Sequence, residues 1–261
     1  MTATVPGQGP SVIDAAPLWR LGWLDHGLFL DFDGTLVELA ERPEQVRVAA
    51  PLLDLLARLQ VLLGGKLALI SGRPVAQIDA MLFPLRLPVA GVHGLERRDA
   101  DGRLHQAAIP DMRSVLAAAQ ALAVIHPDLW VEQKYGALAL HYRQAPQLGP
   151  LCDSSMAEAV RHCPGTVLLK GKMVAEIKPA GVDKGTAIRA FLDEAPFAGH
   201  LALFVGDDLT DEAGFDMVQR AGGVGIKVGP GHSIAQCRID SPGALFAALD
   251  QVASTLLRRI E

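Results

Sequence analysis

Four short runs constrain this chain most: Leu28 to Phe32, Leu67 to Ile70, Pro88 to Val92 and Leu201 to Val205. Each is nearly continuous in apolar residues and too short for a helix of ordinary length. A strand with one wet face alternates apolar and polar residues, whereas a strand covered on both faces does not. A fifth run, Gly223 to Val228, is weaker. Between the first two, Ala49 to Leu63 carries leucines at 52, 53, 55, 56, 59, 62 and 63. That is helical spacing, with Pro51 tolerated in the first turn. After Ser71-Gly72-Arg73-Pro74, residues 75–82 read as a second helix. Strand, helix, strand, helix, strand predicts an α/β fold, a Rossmann-like parallel sheet with helices on both faces.

The pattern changes near residue 111. An Ala-rich helix spans Asp111 to Val124, and strands at Trp130 to Lys134 and Leu138 to Tyr142 flank a turn. A helix over 148–162 and strands at Thr166 to Leu169 and Met173 to Ile177 repeat the arrangement. The parallel pattern then resumes with helix 183–193, strand 201–205 and helix 211–220. Residues 111–180 are therefore expected to be an α+β domain, the cap of the resemblance given below, inserted into a core of 26–110 and 181–261. Residues 1–25 read as a disordered tail, with Ala15 to Trp23 as a short amphipathic helix within it.

Half of the 261 residues are hydrophobic, enough for one large core or two smaller ones. Lys plus Arg number 24 against 29 Asp plus Glu, a net charge of -5. No global basic field is available to hold nucleic acid. Cys152, Cys163 and Cys237 form no C-x-x-C pair and read as reduced thiols of a cytoplasmic protein. The first ten residues lack a signal-peptide pattern, and no apolar stretch is long enough to span a bilayer. The expectation is a cytoplasmic monomer with no nucleic-acid or membrane partner.

The chemistry gathers at the ends of the predicted strands. Asp31 and Asp33 follow the first run and precede Gly34-Thr35; Asp207, Asp208, Asp211 and Glu212 follow Leu201 to Val205. Strand carboxyl ends are where open α/β sheets bind ligands. Close carboxylates repel, and a hard cation such as Mg²⁺ relieves that repulsion. An acidic helix N-terminus would account for Asp211 and Glu212 but not for Asp207 and Asp208. Ser71-Gly72-Arg73 offers a hydroxyl and backbone N–H groups to a phosphate oxygen. Asp183 is a plausible N-cap, and Lys184 opposes the helix dipole, which suits a site that needs a positive charge.

These pieces in this order resemble the haloacid dehalogenase-like phosphohydrolase superfamily: D-x-D-G-T at Asp31 to Thr35, Ser71, Lys184 and G-D-D-x-x-D at 206–211. Within it, several stretches are similar to the trehalose-6-phosphate phosphatase family. They are Gly91 to Glu96, Glu132-x-Lys134, Ala139 to Arg143, Gly171-Lys172-x-x-x-Glu176 and Gly206 to Glu212. One departure is Ala213, where the family often has another acid. The resemblance implies that Asp31 is the nucleophile, forming an aspartyl-phosphate, and that Asp33 is the general acid and base. It implies Mg²⁺ held by Asp31, the Asp33 carbonyl and Asp207, with Asp208 and Asp211 beside or behind them. Ser71 and Lys184 would hold phosphoryl oxygens, with Gly34, Arg73, His93 and Asp211 as further substrate contacts.

The cap would choose the substrate, trehalose 6-phosphate. Any one of Glu132, Lys134, Arg143, Lys172 and Glu176 alone reads best as a solvated strand face. Charges of both signs together suit a polyol, whose hydroxyls accept from Lys and donate to Glu. The resemblance puts Glu132, Lys134 and Glu176 on the distal sugar, and Arg143 and Lys172 nearer the phosphate. His141 reads equally well as a structural strand residue. Another sugar phosphatase, a phosphosugar mutase or a non-catalytic sugar-phosphate-binding regulator are the alternatives.

Overall fold

The computed structural model describes residues 13–14, 22–39, 45–171 and 173–260. They form two compact units, one from the segments up to 105 and from 183 onward, the other from 106–182.

The first unit is built on a nine-stranded sheet. Its strands are β1 (Ile13–Asp14), β2 (His26–Leu30), β3 (Leu67–Ile70), β4 (Val89–Gly91), β5 (Glu96–Arg98), β6 (Leu104–Gln106), and, after the second unit, β11 (Leu201–Gly206), β12 (Val224–Val228) and β13 (Cys237–Ile239). The spatial order is β1-β13-β12-β11-β2-β3-β4-β5-β6. The pairings from β1 through β4 are parallel, and β5 turns back antiparallel on β4. From β2 the chain steps outward through β3 to β4. From β11 it steps the other way, through β12 to β13. The β2–β11 pair is thus the topological switch point, where this class of sheet opens a crevice.

Both faces are covered, which is why the central strands show no alternation. Leu28, Leu30, Leu69, Val205 and Ile226 pack under α1 (Ala50–Leu62), α2 (Val75–Leu82) and α7 (Pro242–Ile260). Phe29, Ile70 and Phe204 point the other way, against α5 (Lys184–Leu192) and α6 (Glu212–Arg220). There Phe29 stacks on Phe197 with ring centroids 5.1 Å apart.

The second unit has a four-stranded antiparallel sheet, ordered β7 (Trp130–Lys134), β8 (Ala137–His141), β10 (Val174–Pro179), β9 (Thr166–Gly171). Helices α3 (Arg113–Ile125) and α4 (Gly149–Arg161) pack on one face of it, through Val115, Ala119, Cys152 and Met156 onto Leu138, Leu140, Ala175 and Ile177.

The fold is the expected mixed α/β class, with two differences in detail. Residues 1–25 are not all without structure: Ile13–Asp14 pairs with Cys237–Arg238, and Trp23 is buried in a 3-10 turn. The helix expected over Ala15 to Trp23 lies mostly outside the described residues. The charged strand β5 and the long α7 add elements that the apolar runs do not announce. No helix among the described residues is long and apolar enough to cross a membrane.

Candidate active site

Asp31 follows β2 and Asp207 follows β11, so both acids emerge at the carboxyl end of the switch point. The Asp31 backbone N–H donates to the Val205 carbonyl at 2.9 Å and ties the two strand ends together. Gly34 has φ +81°, and a Cβ there would collide with the Asp207 carboxylate. Glycine therefore allows both the left-handed turn and the close approach of the two acidic loops.

Lys184 opens α5 and is only 3% exposed. Its Nζ donates to Asp31 Oδ1 and Asp211 Oδ1, each at 2.7 Å. Asp183 sets its position by capping the helix: its Oδ1 accepts from Thr186 N at 2.8 Å, and the Thr186 hydroxyl returns the bond to the Asp183 N–H. Burial alone would lower the Lys184 pKa, but the charges of Asp31, Asp211 and Asp208 override it and hold the ammonium protonated. The acids are shifted as well. Burial pushes Asp31 up to about 6 against the pull of Lys184. Burial, with the charges of Asp211 and Asp208, pushes Asp207 up to about 6. Burial and the charge of Asp31 push Asp211 up to about 7. One lysine does not neutralise this cluster, and the carboxylates resist ionising together.

The acids of the second loop divide their work in a way that spacing does not predict. Asp208 is exposed, and its Oδ1 accepts from the Thr210 N–H at 2.8 Å and from the Thr210 hydroxyl at 2.6 Å. Asp211 is fully buried; its Oδ2 accepts from the N–H groups of Asp207 and Asp208, each at 2.9 Å. Asp211, expected as a substrate contact, thus lies within the loop, with Oδ1 on Lys184 and Oδ2 on two backbone N–H groups. Asp208, expected beside the cation, caps the Thr210 turn. Asp31, Asp207 and Asp211 can converge on an ion, with one carboxylate oxygen from each within 4.8 Å of the others. An all-oxygen set of this kind suits a hard divalent cation.

Asp33 lies beyond the end of β2, half-buried, and Arg73 grips it in a fork: Nε to Oδ2 at 2.6 Å and Nη2 to Oδ1 at 2.7 Å. Arg73 is buried, so this geometry positions Asp33 rather than presenting a guanidinium to solvent. Ser71 is buried at the end of β3, where its Oγ accepts from the Arg73 N–H at 3.1 Å. His93 lies beside Gly72, whose glycine leaves room for the imidazole. Val92 and His93 both have positive φ, 47° and 55°. Two adjacent non-glycine residues in the left-handed region store strain, a feature that clusters at functional sites. Glu96 is a helix cap, accepting from the Val75 N–H at 2.6 Å.

Sequence reasoning missed Lys227. It is 5% exposed on β12, and its Nζ donates to the carbonyls of Asp207 and Val228. Burial lowers its pKa. A lysine inside Val224-Gly225-Ile226-Lys227-Val228 was the available signal, since a charge in a buried strand needs a partner.

In the second unit, Glu132, Lys134 and Glu176 share the sheet face turned away from α3 and α4. Glu132 and Glu176 both lie opposite Ala139, and Lys134 Nζ is 3.6 Å from Glu176 and 3.8 Å from Glu132. His141 joins them, Nε2 to Glu132 Oε2 at 2.9 Å. Arg143 stands in the exposed turn after β8 and makes no ion pair with this set among the described residues. Lys172 lies outside the described residues.

The family model described as trehalose-phosphatase matches residues 29–242. The chain belongs to the trehalose-phosphatase family. By family it is a phosphoric monoester hydrolase. It is 41% identical over 238 residues to a trehalose-6-phosphate phosphatase of Escherichia coli K12, covering 90% of each chain. It is 45% identical over 205 residues to a probable trehalose-phosphate phosphatase of Sinorhizobium fredii, covering 78% of this chain and 77% of the relative. Among solved structures, a trehalose-6-phosphate phosphatase related protein superposes with TM-score 0.72 and 26% identity, over 89% of this chain and 99% of that one. The C-terminal domain of a Candida albicans trehalose-6-phosphate phosphatase has TM-score 0.77 at 21% identity, over 94% of this chain and 98% of that one, which is a likeness of fold.

Proposed function

We propose that the chain is a Mg²⁺-dependent phosphatase that hydrolyses trehalose 6-phosphate through an aspartyl-phosphate on Asp31. The observation that carries this reading is one juxtaposition. Asp31, Lys184 and Asp207 meet at the carboxyl ends of β2 and β11, with Asp33 held two residues on by Arg73.

Asp31 attacks the phosphorus and the bond from phosphorus to the sugar oxygen breaks. Asp33, with one oxygen released from the Arg73 fork and protonated for this step, gives its proton to that oxygen. Arg73 fixes which way the Asp33 carboxyl faces. In the second half Asp33 takes a proton from water, the water oxygen attacks the phosphorus, and the bond to Asp31 breaks to release phosphate. Lys184 neutralises charge beside the nucleophile, and Ser71 supplies a hydroxyl at the neighbouring strand end. Asp31 and Asp207 would hold the cation, with Asp211 behind them. When bound, Mg²⁺ supplies positive charge that lets a carboxylate approach a phosphate dianion. Glu132, Lys134 and Glu176 recognise the sugar hydroxyls.

Phosphate release from trehalose 6-phosphate, glucose 6-phosphate and p-nitrophenyl phosphate, with and without Mg²⁺, tests this reading. The expected result is Mg²⁺-dependent preference for trehalose 6-phosphate. Equal rates on glucose 6-phosphate would point to a general sugar phosphatase, and binding without turnover to a regulator.

Lys227 gives a second prediction. It orients the loop that carries Asp207, much as an outer partner orients a metal ligand. Lys227→Met should therefore weaken Mg²⁺ binding about tenfold or more, measured by calorimetric titration of the folded protein. Unchanged Mg²⁺ affinity would leave Lys227 as a structural residue only.

A further inference from the structure

Trp130 is a large aromatic on the charged face of the second unit, and it is 60% exposed. Strand periodicity puts Trp130, Glu132 and Lys134 on the same side of β7. The register sets Trp130 opposite His141 on β8, and their rings stack with centroids 4.6 Å apart and planes 25° from parallel. His141 in turn bonds Glu132 at 2.9 Å, and Glu132 and Glu176 flank Lys134. Ala137 and Ala139, both buried, form a low floor between these side chains.

The combination has a chemical meaning beyond a solvated strand. A water-facing indole leaves a large apolar surface uncovered. Carboxylates and an ammonium within one sheet face offer acceptors and donors together. A pyranose has both complements, an apolar face of C–H groups and a rim of hydroxyls. A flat aromatic beside a few oriented polar groups is how binding sites for small polar molecules combine burial with direction.

We propose that the Trp130–His141 pair is a sugar-stacking platform, and that it extends recognition of the non-phosphorylated glucose beyond Glu132, Lys134 and Glu176. Trp130 is the binding surface. His141 is a positioning residue that holds the indole flat and ties it to Glu132. This rests on the reading of the substrate as trehalose 6-phosphate.

The test uses the full-length Mg²⁺-loaded enzyme and steady-state kinetics on trehalose 6-phosphate and p-nitrophenyl phosphate. Trp130→Ala should raise KM for trehalose 6-phosphate about tenfold, the size of effect one aromatic contact carries. Its rate on p-nitrophenyl phosphate, which has no second sugar, should stay as in wild type. Trp130→Phe should restore most of the affinity, because a smaller ring still offers a face. Titration with trehalose should change the tryptophan emission of wild type and not of Trp130→Phe. The platform is overturned if Trp130→Ala leaves KM for trehalose 6-phosphate within about twofold of wild type, below what such a contact contributes. It is equally overturned if both substrates lose rate in parallel, which would mark a structural role. A wild-type enzyme that does not cleave trehalose 6-phosphate would instead remove the functional reading, and the platform with it.

Discussion

Asp31→Asn should abolish turnover of every phosphate ester while leaving the fold intact. The amide nearly matches the carboxylate in shape but cannot form the acyl-phosphate, and covalent routes contribute far more than about tenfold to rate. The site itself predicts tolerance of the change. Burial already pushes Asp31 up to about 6, so the metal-free fold favours a neutral group there. Lys184 keeps Asp211 at 2.7 Å when the Asp31 charge is gone. The melting temperature of the metal-free variant should therefore match or exceed that of wild type near neutral pH. Residual activity within about tenfold of wild type would remove Asp31 from the nucleophile's place.

Metal removal should be equally severe. EDTA should reduce hydrolysis to background and Mg²⁺ should restore it. Ca²⁺ should inhibit, because its larger and looser shell misplaces the nucleophile. The carboxylate shifts give this a pH dependence with a definite sign. Asp31, Asp207 and Asp211 have folded-state values of about 6, 6 and 7, above the ordinary carboxylate range. Their contribution to the metal-free fold is therefore full only below the ordinary value of 3.8 and is lost progressively as pH rises from there through about 6 to 7. A cation binds the deprotonated cluster, so its stabilisation runs the opposite way. The rise in melting temperature on adding Mg²⁺ should be large near pH 8 and small near pH 5, where protons compete. Equal shifts at both would show that the ion does not sit on these carboxylates. Full activity in metal-free enzyme would contradict the site altogether.

The parts of this molecule that could be read from sequence share a physical reason. β2, β3 and β11 are covered on both faces, so their composition is uniform and visible. β5 is just as buried but reads Glu96-Arg97-Arg98. Its charges are met by residues remote in the chain: Arg97 by Glu194 at 2.8 Å, Arg98 by Asp79 at 2.6 Å and the Leu87 carbonyl at 2.7 Å. No local pattern signals such a strand. The two acidic loops could be found because each follows a visible strand. Which carboxylate caps a turn and which faces inward depends on loop geometry, so spacing alone does not tell Asp208 from Asp211. Arg73 was visible as a basic residue after Ser71, but its fork on Asp33 spans 40 positions of sequence. Trp130 and His141 meet only through the register of β7 on β8, which spacing alone does not fix.

The most direct measurement of the central claim is an acid quench during turnover of trehalose 6-phosphate carrying a radiolabelled phosphate. Wild-type protein should come out of the quench with label bound, released by hydroxylamine as an acyl-phosphate is. Asp31→Asn should carry none. Rapid turnover by wild type with no protein-bound label at any quench time, or label retained by Asp31→Asn, would contradict the account.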